Sequence, residues 1–329
     1  MMTGATATGR RKLVLGAVMM FLGLPAVFAL VEAVSFGARN RTNGTIVSSG
    51  QKREYLLYVP RSYDRARPTP LVISMHGGAL WPTAQMEISQ WNKVADEHGF
   101  IVVYPSGMGV PRHWSMEGSQ TPSHMPNVIF ISELIDTLEA AYNIDSTRIY
   151  ADGFSNGGGM AFAVSCRLSH RVAAIGAVAA AQFLPMNWCR NSRPMPMVAF
   201  HGTADRFMPY QGGTSPISPG LFPAVRNWAA SWARRNRCGP NPVESVVAKD
   251  VTRAEYTNCA EDAAVVLYTI QGGGHTWPGG KPMLESIVGP TSRSIDATRL
   301  MWAFFREHPR PPNTRVQRTR PYASLGARR

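Results

Sequence analysis

Between residues 53 and 309, short apolar runs alternate with stretches whose apolar positions recur at helical spacing. The runs "REYLLYVP" (53–60), "PLVISMHGG" (70–78) and "FIVVYPS" (100–106) read as strands. The last two are apolar at consecutive positions, as in a strand covered on both faces. "QMEISQWNKVADEHG" (85–99) reads as one helix stopped at Gly99, where glycine reaches the left-handed cap without a Cβ penalty. "NVIFISELIDTLEAAY" (127–142) carries apolar residues at helical spacing, Val128, Ile129, Ile131, Leu134, Ile135 and Leu138. Further strands are predicted at 172–180, 196–202 and 264–270, and further helices near 223–235 and 293–307. Such alternation predicts an α/β fold, a mostly parallel central sheet flanked by helices, with chemistry at the carboxyl ends of the strands. About fifteen residues separate the strands at 172–180 and 196–202, which leaves no room there for a large lid domain.

The two ends depart from this pattern. Residues 1–40 open with Arg10-Arg11-Lys12 and continue in an apolar stretch from Leu13 to Val31, the charged and apolar regions of an export signal. Ala29 and Ala33, each with Val two positions earlier, suit cleavage, and Arg10 to Val14 loosely fits a twin-arginine signal. An uncleaved membrane anchor is the alternative, since 19 residues just span a bilayer, although Pro25 interrupts them. Residues 310–329 are basic, contain proline and lack apolar periodicity, the composition of a disordered tail. This divides the chain into an export signal or anchor with a short linker (1–40), a catalytic domain (41–309) and a basic tail (310–329). Of the formal net charge of +13, the first 40 residues carry +3 and the last 20 carry +6, leaving +4 for the body. A basic stripe for nucleic acid therefore has little to draw on there, and no nucleic-acid partner is expected.

The four cysteines, Cys166, Cys189, Cys238 and Cys259, include no C-x-x-C pair, so neither metal nor cofactor is expected. In a chain exported to the periplasm or the exterior an even number favours disulfides over the alternative, four buried thiols. Cys238 and Cys259 flank a weakly apolar segment that needs a staple, which leaves Cys166 to pair with Cys189 around the strand at 172–180.

Candidate chemistry centres on "YADGFSNGGGMAFAV" (150–164). Ser155 lies between Gly153 and Gly157, after a β-prone run and before a helix-prone one, the setting of a nucleophile elbow. A serine nucleophile needs a base, an acid that orients the base, and donors for the oxyanion. In the order serine, acid, histidine, His275 in "QGGGHTWPGG" follows the strand at 264–270, and His308 at the end of the last helix is the weaker choice. Asp205, four residues beyond His201, is the first candidate acid, with Asp250, Asp262 and Asp296 as alternatives. His201 and His76 read as structural hydrogen-bonding residues at strand ends. The oxyanion donors are expected at the backbone of Asn156 and of Gly78 in "HGGALW", with Ala79 next. Trp277 and Trp81 offer an apolar wall for an acyl or aromatic group.

With "HGG", "GFSNGG", "HGTAD…PY" and "GGGHTWPG" in this order, residues 45–309 resemble the α/β-hydrolase esterase family of polyhydroxybutyrate depolymerases and feruloyl esterases. The resemblance implies an α/β-hydrolase fold, a Ser155–Asp205–His275 triad, and an exported esterase acting on hydroxyalkanoate, feruloyl or acetyl esters. One departure is "MPNVIF" at the start of the helix at 127, where members often carry an acidic pair. The expected function is hydrolysis of such esters through an acyl-enzyme, with a hydroxyalkanoate oligomer or plant-type aromatic ester as partner. A membrane partner is expected only if the N-terminal segment stays uncleaved. The alternatives are an acyltransferase to a sugar or lipid hydroxyl and a catalytically silent surface protein that binds polyester or glycan.

Overall fold

The computed structural model describes residues 41–115, 125–180, 186–189 and 192–311. The proposed export segment and the tail beyond residue 311 lie outside the described residues. Among these, ten strands build one sheet: β1 (Gly44–Ser48), β2 (Gln51–Tyr58), β3 (Thr69–Met75), β4 (Ile101–Pro105), β5 (Ile144–Phe154), β6 (Ile175–Val178), β7 (Met197–Gly202), β10 (Val243–Ala248), β11 (Val251–Tyr256) and β12 (Val265–Ile270). Their spatial order is β1-β2-β4-β3-β5-β6-β7-β12-β11-β10. The six central strands, from β4 to β12, run parallel, and antiparallel hairpins extend the sheet at both edges. A separate hairpin joins β8 (Gly213–Ser215) to β9 (Ser218–Phe222).

The period of two along each strand divides the core into two layers. Leu71, Ile73 and Met75 of β3 and Ile101 and Val103 of β4 face one side. There they meet α3 (Pro126–Ala141), α4 (Asn156–Arg167) and α5 (Val225–Arg235) through Phe130, Leu134, Phe162 and Trp232. Val72, Tyr104 and Tyr150 face the other side. They pack on α1 (Pro82–Ser89), α2 (Trp91–His98) and α7 (Ala297–Glu307), where Tyr150 stacks on Phe305 with ring centroids 4.7 Å apart. Burying such a side chain completely is worth about 1.5–3 kcal/mol, so this alternation drives the fold. A short α6 (Glu285–Val288) lies on the loop between β12 and α7.

Two elements differ from the sequence expectation. The helix predicted over 85–99 is two helices, because Gln90 adopts the left-handed conformation (φ 56°) and redirects the chain between Ser89 and Trp91. The closing helix starts at Ala297 rather than 293, where the Asp296 carboxylate accepts the Arg299 backbone N–H at 3.0 Å and caps it. Gly99 caps α2 as expected, at φ 70°. Both expected cysteine pairs are bonded, Cys166 to Cys189 and Cys238 to Cys259.

Candidate active site

β5 ends at Phe154, α4 begins at Asn156, and Ser155 alone makes the turn between them, at φ 52° and ψ −120°. A non-glycine residue holds such a conformation only where its surroundings enforce it. Here the Ser155 N–H donates to the Val178 carbonyl at 2.9 Å, and its own carbonyl accepts from Gly158 at 2.9 Å. The flanking glycines are explained by close approach. A Cβ on Gly153 would overlap the Gly157 backbone, and one on Gly157 would overlap the carbonyl oxygens of Met75 and His76 at the end of β3.

The loops after β7 and β12 bring Asp205 and His275 together. His275 Nδ1 donates to Asp205 Oδ2 at 2.8 Å, and Asp205 Oδ1 accepts the backbone N–H groups of Phe207 and Met208 at 2.9 and 2.8 Å. Ser155, Asp205 and His275 are each 5 % exposed. The His275 ring sits between Phe154, the neighbour of the elbow serine, and Phe207, with centroids 5.0 and 5.2 Å away. Burial pushes the Asp205 carboxyl up. Hydrogen bonding to His201 and His275 outweighs that and holds it well below the usual carboxylate range. His201 was expected only as a strand-end residue, yet its Nε2 donates to the Met208 carbonyl at 2.8 Å and lies 3.4 Å from Asp205 Oδ2. It therefore borders the acid as well. Sequence spacing hints at this only through the shared "HGTAD".

The other candidates are engaged elsewhere. His308 Nδ1 donates to Phe304 and its ring stacks on that side chain. Asp250 accepts from Ser292, and Asp296 caps α7. Asp262 is exposed in a short 3-10 turn.

Gly78 lies against the start of α4, where a Cβ on it would come 3.8 Å from the Asn156 Cβ. The second choice, Ala79, is excluded as a donor to a ligand, because its N–H already donates to the Arg112 carbonyl at 2.7 Å. Fully buried His76 bridges two loops: Nδ1 donates to the Gly77 carbonyl at 2.7 Å, and Nε2 accepts the Gly107 N–H at 2.9 Å. Burial lowers its pKa to about 3, so the imidazole stays neutral.

Trp277 corrects the sequence reading. It is 1 % exposed and its indole N–H donates to Thr298 at 2.9 Å, so it packs the core rather than presenting a wall to a ligand. Trp81 is half-buried and lines a cavity of about 230 Å³ with Ile88, Lys281 and Pro282.

Residues 53–187 match the family model described as Esterase PHB depolymerase. Feruloyl esterase B of Piromyces equi is 29% identical over 239 residues, which cover 70% of this chain and 44% of that longer protein. Feruloyl esterase D of Neurospora crassa is 25% identical over 305 residues, 87% of this chain and 94% of the relative. Among solved structures, the acetyl xylan esterase of Aspergillus awamori superposes with a TM-score of 0.56 at 16% identity, covering 79% of this chain and 98% of that one, a likeness of fold. These likenesses, on a parallel sheet with an elbow serine, make the chain similar to the esterase family of polyhydroxybutyrate depolymerases and feruloyl esterases.

Proposed function

We propose that the protein is an exported serine esterase whose catalytic domain, residues 41–309, hydrolyses hydroxyalkanoate, feruloyl or related short and aromatic esters through an acyl-enzyme. The observation that carries this reading is the 2.8 Å hydrogen bond from His275 Nδ1 to Asp205 Oδ2, with the His275 ring centroid 5.0 Å from that of Phe154, the residue before the strained Ser155. With Nδ1–H committed to Asp205, Nε2 keeps the lone pair that takes the Ser155 hydroxyl proton. The serine Oγ bonds to the ester carbonyl carbon, and the resulting oxyanion accepts the N–H groups of Asn156 and Gly78. Collapse breaks the bond to the alkoxy oxygen, which leaves as an alcohol with the proton from His275. Water then attacks the acyl-enzyme by the same route, His275 again serving as base. Each oxyanion donor is worth about 3–4 kcal/mol to the transition state.

The names of the relatives, feruloyl esterases B and D, favour aromatic acyl esters among the candidates. Export is supported by the sequence of residues 10–31 and by two disulfides, bonds that persist in oxidising compartments. The test is Ser155→Ala and His275→Ala, assayed on p-nitrophenyl butyrate and methyl ferulate, with fluorophosphonate labelling mapped to its residue. Both variants are expected to lose activity by about 10⁴-fold or more while keeping their circular dichroism, because a triad acts as a unit. Wild-type turnover in either variant, or label on another residue, would overturn the assignment.

A further inference from the structure

The oxyanion donors of the proposed mechanism come from two separate pieces of chain, the loop after β3 for Gly78 and the start of α4 for Asn156. Their separation has to match one oxygen atom, because such donors act at about 2.7–3.1 Å. Residues 106–115, which follow β4, form a strap that touches both pieces. The strap closes on itself through paired backbone hydrogen bonds between Met108 and His113, at 2.9 and 2.8 Å. On the oxyanion loop it holds the Ala79 N–H with the Arg112 carbonyl and His76 Nε2 with the Gly107 N–H. The Trp114 indole, 1 % exposed, donates to the His76 carbonyl at 2.9 Å and leans on the imidazole.

On the elbow side, among the described residues, one side chain makes the tie. Asn156 Oδ1 accepts the Trp114 backbone N–H at 2.7 Å, and Asn156 Nδ2 donates to the Trp114 carbonyl at 3.1 Å. One carboxamide thus satisfies both polar groups of one strap residue.

We propose that the Asn156 side chain is a positioning residue that locks the elbow to the strap, and through it to the oxyanion loop, so that the N–H groups of Gly78 and Asn156 converge on one oxyanion. This rests on the triad reading above. The requirement is chemically narrow. The site needs an acceptor and a donor on one short planar group, which asparagine supplies. Aspartate keeps the acceptor but sets a carboxylate against the Trp114 carbonyl, and alanine supplies neither.

Because the ester carbonyl is a weaker acceptor than the tetrahedral oxyanion, a misaligned hole should cost kcat and spare KM. The test compares wild type, Asn156→Ala and Asn156→Asp. It measures kcat and KM on p-nitrophenyl butyrate, the inhibition constant of an alkyl trifluoromethyl ketone, and the thermal midpoint. The ketone adds to the serine as a hemiketal whose oxyanion uses the hole. In Asn156→Ala, kcat is expected to fall about 10–100-fold, the scale on which small misplacements act. KM should stay within about twofold, and affinity for the ketone should fall in parallel with kcat. Asn156→Asp, which keeps one of the two bonds, should lie between alanine and wild type, and it carries the test if the alanine variant does not fold. Wild-type kcat and ketone affinity in the folded variants would overturn the proposal. So would a kcat loss without a matching loss of ketone affinity, which is what general loosening of the fold gives. Failure of the triad itself is distinguishable, since it shows as activity in Ser155→Ala.

Discussion

Asp205 accepts four polar hydrogens or near neighbours: two loop N–H groups on Oδ1, His275 Nδ1 on Oδ2, and His201 Nε2 at 3.4 Å. The backbone bonds would survive replacement by asparagine, but the negative charge that steadies a protonated His275 would not. Asp205→Asn is therefore expected to keep its fold and lose about 10⁴-fold in kcat, the size seen when a triad acid is neutralised in this way. Steady-state kinetics at several pH values check it, and a loss under tenfold would move the acid's role elsewhere. At this scale the sequence was informative where a residue type is tied to a strand end. Ser155, Asp205 and His275 each follow a recognisable apolar run within a few residues. It was silent where partnership depends on distance through space, as for the Asn156 side chain and Trp114, 42 positions apart. It misled at Trp277, because closeness in sequence to His275 says nothing about which way an indole points.

The elbow is a property of three elements at once. α4 can start against the end of β3 only because Gly157 lacks a side chain, and Gly153 lets the turn fold back on the helix. Gly157→Ala would push a methyl group into two carbonyl oxygens that cannot rotate away, since both belong to the β3 exit. Overpacking of this kind costs about 1–3 kcal/mol, read here as a drop of several degrees in thermal midpoint. Activity should fall further than stability, because the displaced residues carry Ser155 and the Asn156 N–H. A variant with the wild-type midpoint and wild-type kcat would show that the helix has slack at this point. The central strands were legible for the same reason that they are stable, since burial on both faces demands consecutive apolar residues. The edge hairpin of β10 and β11 was not. Val243, Val246 and Val247 are exposed, and β10 shows no buried face to give it a period. Only its flanking cysteines marked the segment. The break at Gln90 was equally hidden, because nothing in "ISQWNK" but a side chain willing to take a positive φ separates two helices from one.

Two of the buried titratable groups among the described residues affect stability in opposite directions. His76 titrates near 6.5 when unfolded and near 3 when folded, lowered first by burial. As pH falls from 6.5 towards 3, the unfolded chain takes up a proton that the folded one refuses, so stability is lost on that side. Asp152 does the reverse. It lies in β5 three residues before Ser155, wholly buried, accepting from Ser74 at 2.8 Å, and Ser74 in turn accepts from Gln85 of α1 at 3.0 Å. Burial raises it from 3.8 to about 8 against the smaller pull of Ser74 and the neighbouring Trp91 indole, while Tyr104 of β4 also feels its charge. The folded state therefore keeps a proton that the unfolded chain has released from about pH 4 upward, and stability drains away as pH rises until about 8. Between about pH 4 and 6.5 the two slopes oppose each other, and above 6.5 only that of Asp152 remains. The urea midpoint should accordingly be near its highest on the acid side of neutral and decline between pH 6.5 and 8.5. Asp152→Asn keeps an oxygen for Ser74 and removes the ionisation, so its midpoint should be nearly flat over that interval and exceed that of the wild type at pH 8.5. An equal decline in the variant would assign the slope to other groups and show that the Asp152 carboxyl ionises in the folded protein as readily as in the unfolded chain.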